Sequence, residues 1–248
     1  MNDITKQMPN VPALLDRCRG LAMIQRITET LEPGDWGYTF ERTECAYGTD
    51  WTLHMERQEQ NFTVHFHGAD VLVYGWDTND EFTFLDELCD FGPPEVWPAI
   101  LSQIPAELRA CLPADDEDED STLLSVVTWR LATDSRWHAG DFPLPLDEDK
   151  AEALRNSWGW SADLLVDLIH PSPSNLEWCG SLRDGTYRDD PEIEWVDTGI
   201  SFEGALRHIL ALKPLTEEVV RTLNPSRGLV DVADDITAIE YPQDAPAG

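Results

Sequence analysis

The sequence predicts an α+β fold: an N-terminal helix, a mainly antiparallel β-sheet, and C-terminal helices packed on the sheet. Three observations carry this. Apolar residues recur at three- and four-residue steps between Pro12 and Leu31. They alternate singly between Trp36 and Trp76, and they return to helical spacing beyond the Pro-containing connection DFPLPL at 141–146. Helix, then strands, then helices is the order of an α+β chain. The reading places a helix, a sheet and an acidic loop in 1–146, a mostly helical part packed on them as one unit in 147–242, and a tail at 243–248.

Leu14, Cys18, Leu21, Ile24 or Ala22, Ile27 or Met23, and Leu31 make one apolar stripe on the first helix. Pro12 suits its first turn, and Pro33-Gly34 stops it. The segments Tyr38–Arg42, Trp51–Glu56, Asn61–His67 and Val71–Trp76 read as antiparallel strands. In the third, Phe62, Val64 and Phe66 share one face while Thr63, His65 and His67 share the other. His67-Gly68-Ala69-Asp70 reads as a hairpin connection, with Gly68 supplying a permissive backbone. Trp97, Ile100, Leu101, Ile104 and Leu108 give an apolar face to a helix at 95–112, which Pro105 should split. Residues 121–132, STLLSVVTWRLA, read as a further strand of the same sheet. Later helices are expected near 148–156, 162–169, 202–212, 216–223 and 230–239. Pro171 and Pro173 break one of them, and Asn224-Pro225 ends another.

Charge says more about function than any motif does. The chain has 48 Asp and Glu against 17 Lys and Arg, a formal charge of −31. Positions 58–108 hold no Lys or Arg, and 115–120 is an unbroken DDEDED run. Ten Trp and eight Phe provide a core, so the charge belongs to the surface of a folded body rather than to a disordered acidic chain. Such a surface attracts cationic partners and repels nucleic acid and anionic membrane. Five cysteines without a CxxC pair argue for reduced thiols, against a disulfide framework and against a zinc site. The N-terminal residues lack the pattern of a signal peptide, and no apolar run approaches the ~20 residues of a membrane helix, so the expected location is cytoplasmic.

Catalytic signatures are sparse. His65 and His67, two apart on a strand, point the same way, and His54 and Asp70 could join them in a metal site. β-Barrel metalloenzymes of the cupin type use a similar His-x-His but follow it with a suitably spaced Glu, and here none follows until Glu81. The plain alternative is two half-exposed histidines on a polar strand face, and it is the one favoured. DTNDE lacks the remaining ligand positions of a calcium loop. A glycosidase pair cannot be picked out among so many carboxylates. GxSxG, P-loop, GxGxxG and HExxH patterns are absent from the sequence. An enzyme is therefore the weaker expectation and no cofactor is expected.

The expected contact face comprises Asp77, Asp80, Glu81, Asp86, Glu87, Asp90 and the run Asp115, Asp116, Glu117, Asp118, Glu119 and Asp120. Trp76 and Trp97 are its candidate apolar anchors. The expected partner is a basic protein, most concretely a toxin such as a nuclease, which an immunity protein or inhibitor would occlude. A nucleic-acid mimic that blocks DNA-binding proteins is a second version of the same physics. A metal-dependent hydrolase using His54, His65, His67 and Asp70 is the competing class.

The stretch LRHILALKPLTEEVVRTLNPSRGLVDVADDITAIEYP, Leu206 to Pro242, resembles a group of uncharacterised acidic proteins, mainly actinobacterial. VPALLDRCRGLAMIQRI at 11–27 and VLVYGWD at 71–77 are similar to the same group. Where that group often carries Phe-Asp-His, this chain has Trp76-Asp77-Thr78. The resemblance implies a bacterial, cytosolic α+β protein and transfers no functional residue.

Overall fold

The computed structural model describes residues 4–28, 37–45, 48–57, 60–77, 102–112, 126–140, 165–173, 176, 194 and 196–243. In chain order these form α1 (Ile4–Gln7), α2 (Val11–Thr28), β1 (Gly37–Cys45), β2 (Gly48–Arg57), β3 (Gln60–His67) and β4 (Asp70–Asp77). There follow α3 (Ala106–Arg109), β5 (Val126–Arg130), β6 (His138–Ala139), α4 (Val166–Ile169), α5 (Phe202–Leu210), α6 (Glu217–Leu223), a 3₁₀ turn (Leu229–Val232) and α7 (Ala233–Ala238). The α+β class read from the sequence is the class observed. The helix expected at 148–156 lies outside the described residues.

The strands form one sheet in sequence order, β1-β2-β3-β4-β5-β6, and the pairs from β2 to β6 are antiparallel. Each strand hydrogen-bonds the next in the chain, which is what short connections favour. The β3–β4 connection pairs His67 with Asp70 across Gly68 and Ala69. Gly68 has φ +61°, the left-handed backbone that a two-residue hairpin turn demands at its first central position. Phe62, Val64 and Phe66 lie across from Met55, Leu53 and Trp51 on one side, and from Gly75, Val73 and Val71 on the other. Leu53, Met55, Phe62, Val64, Phe66, Val71 and Val73 are all buried.

The chain forms two compact units, each built from two stretches. The first comprises Met1–Met8 and Arg42–Leu165; the second comprises Pro9–Glu41 and Val166–Gly248. In the first unit, Leu72, Val127 and Trp129 make an apolar patch on the opposite face of the sheet, and Ile104 and Leu108 cover it. Pro105 breaks the backbone ahead of α3, as its missing N–H and fixed φ require, and occupies the N-cap position. Trp129 stacks on His138 of β6, with ring centroids 5.9 Å apart.

In the second unit α2 packs against α4, α5, α6 and α7. The Asn10 side chain caps α2 by accepting the Ala13 N–H at 3.0 Å. Leu14, Cys18, Leu21, Ile24 and Ile27 are fully buried, so these members of the stripe form the packed face, while Leu31 lies outside the described residues. Ser201 and Thr216 cap α5 and α6 in the same way. Burial pushes the Cys18 thiol up, leaving it an inert core group.

Arginines close the opposite ends of these helices. Arg17 donates to the Leu168 and Ile169 carbonyls at the end of α4. Arg19 donates to Ile239 O and Glu240 just after α7, and Arg227 donates to Arg26 O near the end of α2. Terminal carbonyls have no partner inside a helix and lie at the negative end of its dipole, so a guanidinium satisfies both needs. Asn224, fully buried, adds a bond from Nδ2 to Ile27 O at 2.8 Å.

Candidate functional site

The acidic contact face falls largely beyond what the structure describes. Trp76 and Asp77 close β4, paired with Asn61 and Gln60. Asp80, Glu81, Asp86, Glu87, Asp90, Trp97 and Asp115 to Asp120 lie outside the described residues.

The register sets Thr52 opposite His65 and His54 opposite Thr63, and sets His65 opposite Leu72 and Thr63 opposite Tyr74. Side chains two apart on a strand share a face. Asp50, Thr52 and His54 of β2 therefore stand beside Thr63, His65 and His67 of β3.

One hydrogen-bonded chain runs through this row. Thr43 donates to Thr52 at 3.0 Å, and the Thr52 hydroxyl lies 3.1 Å from His65 Nδ1. His65 Nε2 is 3.4 Å from Asp50 Oδ2, and His67 Nδ1 is 2.8 Å from the same oxygen. An ionised carboxylate only accepts, so both imidazoles donate to it. Neutral His65, protonated on Nε2, then accepts from Thr52 at Nδ1, and every proton runs one way: Thr43 to Thr52 to His65 to Asp50. A shorter row stands beside it, with His54 Nδ1 3.0 Å from the Thr63 hydroxyl and Tyr74 opposite Thr63 in the register.

Of the two histidines that alternation reads as half-exposed, His65 is buried while His67 is partly exposed. His65 is 4% exposed, Thr63 8% and Asp50 6%. Burial holds the His65 imidazole below its ordinary value, against the opposing pull of the Asp50 carboxylate. Burial likewise raises the Tyr74 hydroxyl. Chemically the row is a satisfied polar core that orients two imidazoles on one carboxylate.

The four residues of the metal reading all share this face. His65 and His67 meet at Asp50, His54 engages Thr63, and Asp70 accepts the Ala132 N–H at 2.6 Å. Among the described residues no group of three or more His, Cys, Asp or Glu side chains is placed to hold a metal ion. Sequence reasoning placed Thr63 on the face of His65 and His67 but missed Asp50, Thr43 and Thr52. The signal was present in β2, where Asp50, Thr52 and His54 alternate with Trp51, Leu53 and Met55.

No protein-family model, curated protein or solved structure matches the chain. Among the described residues no helix is long and apolar enough to cross a membrane.

Proposed function

We propose that this chain is a non-enzymatic acidic binding protein that neutralises a basic protein partner. In its most concrete form it is an immunity protein or inhibitor that occludes a toxin's active site. The observation that carries the reading is the imbalance of charge together with the use the fold makes of its cations. If each of the 17 basic residues offset one of the 48 acids, 31 carboxylates would remain. Several of the cations are already engaged within the chain. Arg17 is committed to backbone carbonyls, Arg19 and Arg227 bond backbone carbonyls and also pair with Glu240 and Asp235, and Arg207 and Arg221 pair with Glu203 and Glu217 one helical turn away. The excess negative charge has no counterion of its own within the chain, and a cationic surface would supply one.

Electrostatic complementarity of this kind raises the rate of encounter and excludes wrong partners. The face offered is Asp77, Asp80, Glu81, Asp86, Glu87 and Asp90 with the run Asp115 to Asp120, anchored by Trp76 and Trp97. Affinity capture from a host lysate at low salt, compared with a variant carrying Asn or Gln at those acids, tests it. The wild type is expected to retain one dominant basic protein that the variant loses while keeping its thermal midpoint. An identical captured set from both proteins would overturn the assignment.

A further inference from the structure

We propose that α1 is a strap on the sheet unit with an oxidation-sensitive anchor, Met8: converting its thioether to the sulfoxide by a peroxide frees the strap while both compact units stay folded. The chain changes units at this point. Ile4 to Met8 belong with the sheet, where α1 packs beside β6, while Pro9–Glu41 belong with the helices. Asn10, two residues beyond Met8, already caps α2.

A single helical turn has little stability of its own, because nucleation fixes several residues for one hydrogen bond. The bond that closes α1 runs from the Met8 N–H to Ile4 O at 3.0 Å. Ile4 and Met8, four apart, share one side of the turn. They are 3% and 7% exposed, and Lys6 between them is exposed. A turn this short draws its order from the burial of those two apolar side chains, so it opens more readily than the elements around it.

Met23 and Met55 supply the contrast. They are 0% and 1% exposed, one in the middle of α2 and the other in β2 opposite Phe62. Reaching either sulfur requires opening a packed helix face or a strand pairing. Reaching Met8 requires only that the strap lift.

The chemistry at Met8 is an oxygen transfer. The thioether sulfur attacks one peroxide oxygen, the O–O bond breaks and an S–O bond forms. Sulfur gives up two electrons, and with hydrogen peroxide the other oxygen leaves as water. The product is polar where the thioether was apolar, and its oxygen is costly to desolvate in an apolar seat. The oxidised strap therefore does not return until the sulfoxide is reduced.

Dilute hydrogen peroxide acting on the wild-type protein, followed by peptide mass spectrometry over time, tests the first step. Met8 is expected to be oxidised at least about tenfold faster than Met23 and Met55, since each rate follows the opening of its own element. In protein oxidised at Met8, hydrogen exchange should show the Met8 amide losing about tenfold or more of its protection, while α2, β3 and β4 keep theirs. Methionine sulfoxide reductase should restore it. Met8→Leu, an anchor of similar volume without the sulfur, should leave the strap docked under the same peroxide. Oxidation of Met8 no faster than that of Met23 and Met55 would overturn the proposal. So would a Met8 sulfoxide whose amide stays protected, or one that unprotects β3 and β4 along with it.

Discussion

Asp50→Ala is expected to destabilise the protein by about 3 kcal/mol, because the substitution leaves two donors without their acceptor in a buried site. Asp50 is 6% exposed and its Oδ2 takes bonds from both His65 and His67. A hydrogen bond to a charged group contributes about 1.5–3 kcal/mol net, and an orphaned buried donor costs a further ~1–3 kcal/mol in desolvation. His67 is partly exposed and can recover some of its loss from water, which keeps the total below the plain sum. Asp50→Asn should fall between the variant and the wild type, since an amide oxygen in the place of Oδ2 can accept from both imidazoles but carries no charge. The check is the urea midpoint at neutral pH with an unchanged slope. A loss under about 1 kcal/mol would show that water already satisfies these groups.

Gly75→Ala is expected to be as damaging, about 3 kcal/mol, at the upper end of what forced overpacking costs. Gly75 sits in β4 between Phe62 of β3 and Val126 of β5. A Cβ there would lie 2.4 Å from Asn61 O, 2.7 Å from Phe62 Cβ and 2.8 Å from Phe62 Cα. Two of these atoms are backbone and the third is the root of a fully buried ring, so no flexible side chain can yield. The β3–β4 pairing itself must move. Gly199 provides the contrast, since nothing lies within 4 Å of its Cβ position and its φ of +74° is the sole constraint. Thermal unfolding of Gly75→Ala checks the expectation, and a midpoint within about 2 °C of wild type would contradict it, that being a shift worth about 0.5–1 kcal/mol.

Much of the fold is legible from spacing alone. The alternation in β2, β3 and β4 fixes which residues are neighbours on a face, and Pro12, Pro105 and Pro225 mark real boundaries. Their effect is local, written in a missing N–H and a fixed φ. Other features depend on partners distant in sequence. The stripe Leu14, Cys18, Leu21 says that α2 is covered, but not that α4, α5, α6 and α7 cover it. Nothing local distinguishes Arg17 or Arg227 from a solvated surface arginine; each is defined by a carbonyl more than a hundred residues away.

The polar sheet face is the instructive case. Threonine and histidine read as solvent-facing when only one strand is considered, and the row becomes a buried network once the register sets Thr52 beside His65 and His54 beside Thr63. Gly75 carries the same lesson, because a glycine in a strand signals a close approach without naming what approaches. The acids from Asp77 to Asp120 have no periodicity to exploit, so their role rests on charge.

The most direct measurement of the central claim is the association rate of the purified chain with its captured basic partner, taken from about 50 to about 500 mM salt. Steered association between a strongly acidic and a basic surface should slow by an order of magnitude or more over that range, with dissociation changing far less. Neutralising Asp77, Asp80, Glu81, Asp86, Glu87 and Asp90 should lower the low-salt rate toward the high-salt one. An association rate that stays flat with salt, and unchanged in that variant, would contradict the claim that charge on this chain is there to meet a cationic partner.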